Sequence, residues 1–87
     1  MRVTDKRMTP KQAAVLFALD EAKRPISASE VARRIGVRPS VAASRLYMMQ
    51  LKHLVANTWD TEEPGAHWTL TGSGCVALVD WHKSQEN

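Results

Sequence analysis

The sequence predicts a mainly helical domain with one small β-hairpin, an α+β arrangement of three helices, a hairpin and a closing helix. Three observations carry the prediction. Two capping boxes, Thr9-x-x-Gln12 and Ser27-x-x-Glu30, mark helix starts, because a hydroxyl at the cap and an amide or carboxylate three residues on satisfy each other's free backbone N–H groups. A glycine stop at Gly36 is followed closely by Pro39, which suits the first position of a new helix. Beyond that helix, "LVANTWD" and "HWTLTGSG" read as strands on either side of the turn "TEEPGA".

Each element has its own signals. The first helix opens at Thr9 and Pro10 and ends at Arg24-Pro25; from Ala13 to Leu19 it is apolar nearly all round, wider than one core-facing stripe needs. The second opens at Ser27, with Ile26 placed to staple onto Val31, and Val31, Ala32 and Ile35 at helical spacing leave Glu30, Arg33 and Arg34 toward solvent. The third helix, 39–52, turns Ala42, Leu46 and Met49 inward and Ser40, Val41, Ser44, Arg45, Tyr47 and Met48 outward. That outward mixture of hydroxyl, guanidinium, phenol and thioether is poor core material and good material for base edges and phosphates. In the hairpin, Trp59 and Trp68 fall on opposite strands and are expected to pair across it. The last helix, "GSGCVALVDWHK", offers Cys75, Val76, Leu78, Val79 and Trp81, more apolar surface than one seam against a small body uses.

An 87-residue chain makes one small core with little room for a deep substrate pocket. With 44% apolar and 24% charged residues, no apolar run long enough to span a bilayer and no secretion signal, the expectation is a cytoplasmic protein. A lone cysteine, Cys75, fits a reducing compartment and reads as a small buried thiol. The formal charge of +3 conceals a strong asymmetry. Residues 1–11 carry +3, through Arg2, Lys6, Arg7 and Lys11 against Asp5. Residues 23–52 carry +6, through Lys23, Arg24, Arg33, Arg34, Arg38, Arg45 and Lys52 against Glu30, and the remainder sums to −6. A basic half of this kind favours a polyanionic partner, since each phosphate it neutralises releases condensed counterions.

In this order the parts resemble the helix-turn-helix of bacterial transcription factors: "SASEVARRIG" is similar to the positioning helix and its turn, "VRPSVAASRLYMMQLKHL" to the recognition helix. The hairpin stands where winged-helix repressors carry their wing, and "LTGSG" is similar to the LT-x-x-G entry into the last helix of MarR-like and PadR-like regulators. The resemblance implies a winged helix-turn-helix over residues 9–83, a three-helix core plus wing and C-terminal helix. A flexible basic arm, 1–8, would precede it and a disordered tail, 84–87, would follow. It further implies a sequence-specific double-stranded DNA-binding protein, a small transcriptional repressor. Ser40, Val41, Ser44 and Arg45 would read bases, Arg33, Arg34, Arg38, Tyr47 and Lys52 would hold phosphates, and Arg2, Lys6 and Arg7 would form the arm. The over-apolar first and last helices imply a homodimer reading two half-sites.

Three departures from the resemblance are visible. The wing tip carries Asp60, Glu62 and Glu63 and no cation, so it is expected to stand clear of phosphate. His53 occupies the position where many relatives have glycine, which calls for a left-handed histidine, and Arg38 takes the cap position of the third helix where a hydroxyl is usual. The acidic tip gives best support to one alternative, a winged-helix protein-interaction module; another, a phage or plasmid DNA-processing accessory factor, shares the DNA contacts and differs only in outcome. His53, His67, His82 and Cys75 lack metal-ligand spacing, no nucleophile elbow or glycine-rich phosphate loop is present, and no cofactor, metal, membrane, small-molecule ligand or enzymatic activity is expected.

Overall fold

In the computed structural model, which describes residues 8–59 and 65–85 and only the backbone of Trp59, six elements follow one another. They are α1 (Pro10–Ala22), α2 (Ala28–Ile35), α3 (Pro39–Leu51), β1 (Val55–Trp59), β2 (Ala66–Leu70) and α4 (Gly72–Gln85). Arg2, Lys6 and Arg7 of the basic arm and the acidic wing tip lie outside the described residues; Met8, the last residue of the expected arm, is partly buried and packs against the core, because its apolar side chain finds the hydrophobic cluster beside the start of α1.

Local chemistry sets the boundaries. Both halves of the Thr9 box form: Gln12 N donates to Thr9 Oγ1 at 3.2 Å and Thr9 N donates to Gln12 Oε1 at 3.1 Å. Ser27 Oγ accepts from Glu30 N at 3.1 Å. Lys23, with φ of 60°, closes α1 in the left-handed region, one residue ahead of the Arg24-Pro25 stop read from the sequence. At the other end of the chain α4 continues through Ser84 and Gln85, which the sequence reading places in a disordered tail; nothing in their chemistry breaks a helix, and Ser84 Oγ donates to Trp81 O at 2.9 Å.

The core is built from α1 (Val15, Leu16, Leu19), α2 (Val31, Ala32), α3 (Ala42, Leu46, Met49), the hairpin (Val55, Trp68) and Leu78 of α4. Large side chains so fully withdrawn from water contribute about 1.5–3 kcal/mol each. The strands pair antiparallel in a register that sets Trp68 opposite Asn57 and Trp59 opposite Ala66, so the two tryptophans are not direct partners. Trp68 is instead a core residue, and its backbone exchanges two hydrogen bonds with Ile26, at 3.0 and 2.7 Å. This one-residue bridge clamps the start of α2 to the hairpin and buries Ile26 more firmly than a staple alone would.

The junction of α3, hairpin and α4 explains the LT-x-x-G resemblance physically. His53 adopts the left-handed conformation, with φ of 64°. Its carbonyl accepts from Thr71 Oγ1 at 2.7 Å, and the same hydroxyl accepts from Gly74 N at 3.0 Å, capping α4. At Gly74 a Cβ would lie 2.1 Å from Leu54 O, so only glycine lets α4 approach this closely. Of the apolar residues of α4, Leu78 is buried while Val76 and Val79 are 61% and 52% exposed. Cys75 is exposed, not the buried thiol expected from its size and apolarity, because its side of the helix turns away from the core.

Candidate nucleic-acid interface

The turn between α2 and α3 is made by Gly36, whose φ of 75° lets Gly36 N and Val37 N both donate to Ala32 O, at 2.8 and 3.0 Å. A residue with a Cβ pays a steric penalty there, and the tight turn fixes α3 across α2. Arg38 occupies the N-cap of α3 in extended conformation with no side-chain cap bond, as its chemistry requires, so the helix start offers N–H groups that no side chain fills.

Burial then sorts the faces of α3. Ala42, Leu46 and Met49 are completely enclosed, which fixes the helix phase. Ser40, Val41, Ser44, Tyr47 and Met48 are exposed, Arg45 is half-buried, and Lys52, at the C-cap, is exposed. The four residues assigned to base reading thus share one outward side, with three of them in the first half of the helix. Sequence reading did not single out Leu51, which is 58% exposed beside Tyr47 and Met48; its position at helical spacing from Met48 was the available signal. Helix α3 itself carries no carboxylate.

The α2 arginines are differently placed. Glu30 lies between them, accepting from Arg33 and from Arg34 Nε, the latter at 3.0 Å. Arg34 also faces Glu21 of α1, with Nη1 3.9 Å from its carboxylate, and its side chain is 30% exposed against 74% for Arg33. Arg33 therefore presents its guanidinium to solvent, whereas Arg34 also ties α2 to α1. The hydrogen bond from Arg34, helped by the charge of Arg33, holds the Glu30 carboxyl below its ordinary range against the opposing effect of partial burial.

Away from this face, an open cavity of about 260 Å³ lies beside the end of α1, with Leu19, Lys23, Arg24, Leu70 and Cys75 in its lining. Among the described residues no cluster of His, Cys, Asp or Glu is arranged to hold a metal ion. Nor is any helix among them long and apolar enough to cross a membrane.

Solved structures share this geometry. YusO from Bacillus subtilis superposes with a TM-score of 0.86 at 26% identity, over 95% of this chain and 60% of its own. A MarR family protein from Bacillus stearothermophilus gives 0.81 at 19% identity, over 95% of this chain and 57% of its own. The chain has the winged helix-turn-helix fold of MarR-like regulators. BpsR from Bordetella bronchiseptica, whose structure concerns regulation of DNA binding by 6-hydroxynicotinic acid, gives 0.80 at 20% identity, over 97% of this chain and 64% of its own. This winged-helix chain therefore spans about 57–64% of the length of these structures. No family model matches the sequence and no curated relative matches it.

Proposed function

We propose that the protein is a sequence-specific double-stranded DNA-binding protein that reads the major groove with α3 and acts as a small cytoplasmic repressor, by binding and not by catalysis. The observation that carries this reading is the outward face of α3: exposed, free of carboxylates, and bordered by Arg38, Arg45 and Lys52. In this reading Arg45, half-buried and so restrained, makes a bidentate contact to guanine, with Ser40, Val41 and Ser44 against neighbouring bases. Arg33, Arg38, Tyr47 and Lys52 hold phosphates, and Arg34 adds a weaker contact because two carboxylates already engage it. The arm residues Arg2, Lys6 and Arg7 reach toward a minor groove, and the acidic wing stays clear of the backbone. The MarR-like fold and the DNA binding named for BpsR support the same reading.

A homodimer is part of the proposal. Val76 and Val79, one turn apart on α4, and Phe17 of α1, 47% exposed, leave apolar surface in water. Phe17 stacks edge-on to His82, ring centroids 6.2 Å apart, which places it at the end of the Val76–Val79 line. An exposed apolar patch of this kind suits a twofold partner and hence two half-sites.

The test is titration of the whole chain against a mixed-sequence duplex over a range of salt concentrations. The cations Arg33, Arg34, Arg38 and Lys52 predict a slope of log K against log salt of roughly −3 to −4 per subunit, from about −0.9 per phosphate neutralised. A flat response overturns the DNA reading and leaves the protein-interaction module as the account of the exposed surfaces.

A further inference from the structure

Among the described residues, the large apolar side chains left in water divide between the α1/α4 surface and α3, where Val41, Tyr47, Met48 and Leu51 stand. A helix that served only to hold phosphates would gain nothing from apolar groups there. Val41 is the informative one. It lies one turn before Arg45, on the same outward side, in the first turn of the helix, where Val41 N donates to Arg38 O at 3.0 Å. Its exposed neighbours Ser40, Ala43 and Ser44 are all short, Arg38 and Arg45 flank it one turn away on either side, and with 36% of its surface exposed its isopropyl group sits between the two guanidinium-bearing side chains. A β-branched side chain on a helix is held in essentially one rotamer, so those methyl groups occupy a fixed place relative to Arg45.

The floor of the major groove offers one apolar group to a protein, the C5-methyl of thymine; cytosine presents only a C5 hydrogen at that point. We propose that Val41 reads a thymine methyl beside the base pair contacted by Arg45, so that the preferred half-site contains a thymine whose methyl group, and not its hydrogen-bonding edge, is recognised. This rests on the reading that α3 enters the major groove, and it names a chemical feature of the DNA which that reading leaves open.

The experiment isolates the methyl group. A duplex selected from random DNA by the full-length protein is resynthesised with each thymine replaced singly by deoxyuridine, which removes the methyl and preserves the pairing. One replacement per half-site should weaken binding about fourfold, the worth of one buried methyl at ~0.8 kcal/mol. Val41→Ala should bind the thymine and deoxyuridine duplexes at that position equally, and the exposed alanine leaves the helix intact. Replacing the same thymine pair by cytosine–guanine should weaken binding, and 5-methylcytosine should restore part of the loss. Tight binding to the selected duplex with no sensitivity to deoxyuridine at any position overturns the inference while the DNA reading stands. A methyl effect that persists undiminished in Val41→Ala also overturns it. Failure to bind or select any duplex overturns the DNA reading and this inference with it.

Discussion

The outward face of α3 and the surface shared by α1 and α4 both leave large apolar side chains in water, but what borders those side chains differs. On α3, Val41 and Met48 share their face with Arg45, and Arg38 and Lys52 stand at the two ends, with no carboxylate on the helix. On the second surface Phe17, Val76 and Val79 have His82 and the exposed Asp80 beside them. Exposure by itself points to a partner without naming it; in the proposed reading the border of charge is what assigns a polyanion to the first surface and a second copy of the chain to the other.

The elements that carry the two surfaces are tied together where Gly74 of α4 packs against the backbone of Leu54, just after α3, and the largest effect should come from disturbing that contact. Gly74→Ala places a Cβ against Leu54 O, a backbone atom with nowhere to go, and is expected to cost about 3 kcal/mol by overpacking. For a domain this small that is a large share of its stability, so both surfaces should fail together. Gly72→Ala is the control, since nothing lies within 4 Å of the Cβ it would add. Urea midpoints for the two variants check the contrast, and equal midpoints would show that the α4 contact does not hold the surfaces in register.

A smaller and more selective effect is expected from Phe17→Ser with Val79→Ser, which touches only the second surface. Sedimentation should show a shift toward monomer. Affinity for a duplex with two half-sites should fall by about tenfold or more as the gain from linked binding is lost, while affinity for a lone half-site stays unchanged. An unaltered oligomeric state would remove Phe17 and Val79 from the interface and leave the comparison without its second member.

The smallest effect concerns Glu30, the carboxylate that sits between the α2 arginines. Because its folded pKa is depressed, its stabilisation is present at neutral pH and is lost as the pH falls through the carboxylate range. Glu30→Gln should therefore flatten the pH dependence of the melting temperature in that acid range, and it should modestly raise affinity for mixed DNA by releasing Arg33. A melting curve whose acid limb is unchanged in the variant would mean that the ion pairs with Arg33 and Arg34 do not matter to folding.

The helices were legible where local chemistry is self-contained. The Thr9 capping box, the Gly36 turn and the inward phase of Ala42, Leu46 and Met49 depend on residues within a turn or two of one another, and all appear in the structure. The second box forms only by half: Ser27 caps Glu30 N, but the Glu30 carboxylate turns to Arg33 and Arg34 instead of reaching back to the cap. The left-handed His53 was legible too, through the resemblance, since glycine usually stands at that position in winged-helix regulators. Lys23 was not, since lysine carries no signal for that conformation. The Ile26–Trp68 bridge is a single pairing and leaves no periodic trace, and the exposure of Cys75 depends on which side of α4 the glycine contact forces inward. At the candidate interface the outward side of α3 could be read from helix phase. That Arg34 meets a carboxylate from α1 could not, because Glu21 is brought to it only by the packing of two helices.

The central claim is that α3 reads bases through Arg45, and one pair of titrations tests it most directly. Wild-type protein and Arg45→Ala, each verified as folded by circular dichroism, are titrated at one fixed salt concentration against the selected duplex and a scrambled duplex of the same composition. The account predicts that Arg45→Ala loses about 1–3 kcal/mol on the selected duplex, with relaxed discrimination at one base pair, and much less on the scrambled one. An equal loss on both duplexes would make Arg45 a phosphate contact and contradict the assignment of the base-reading face.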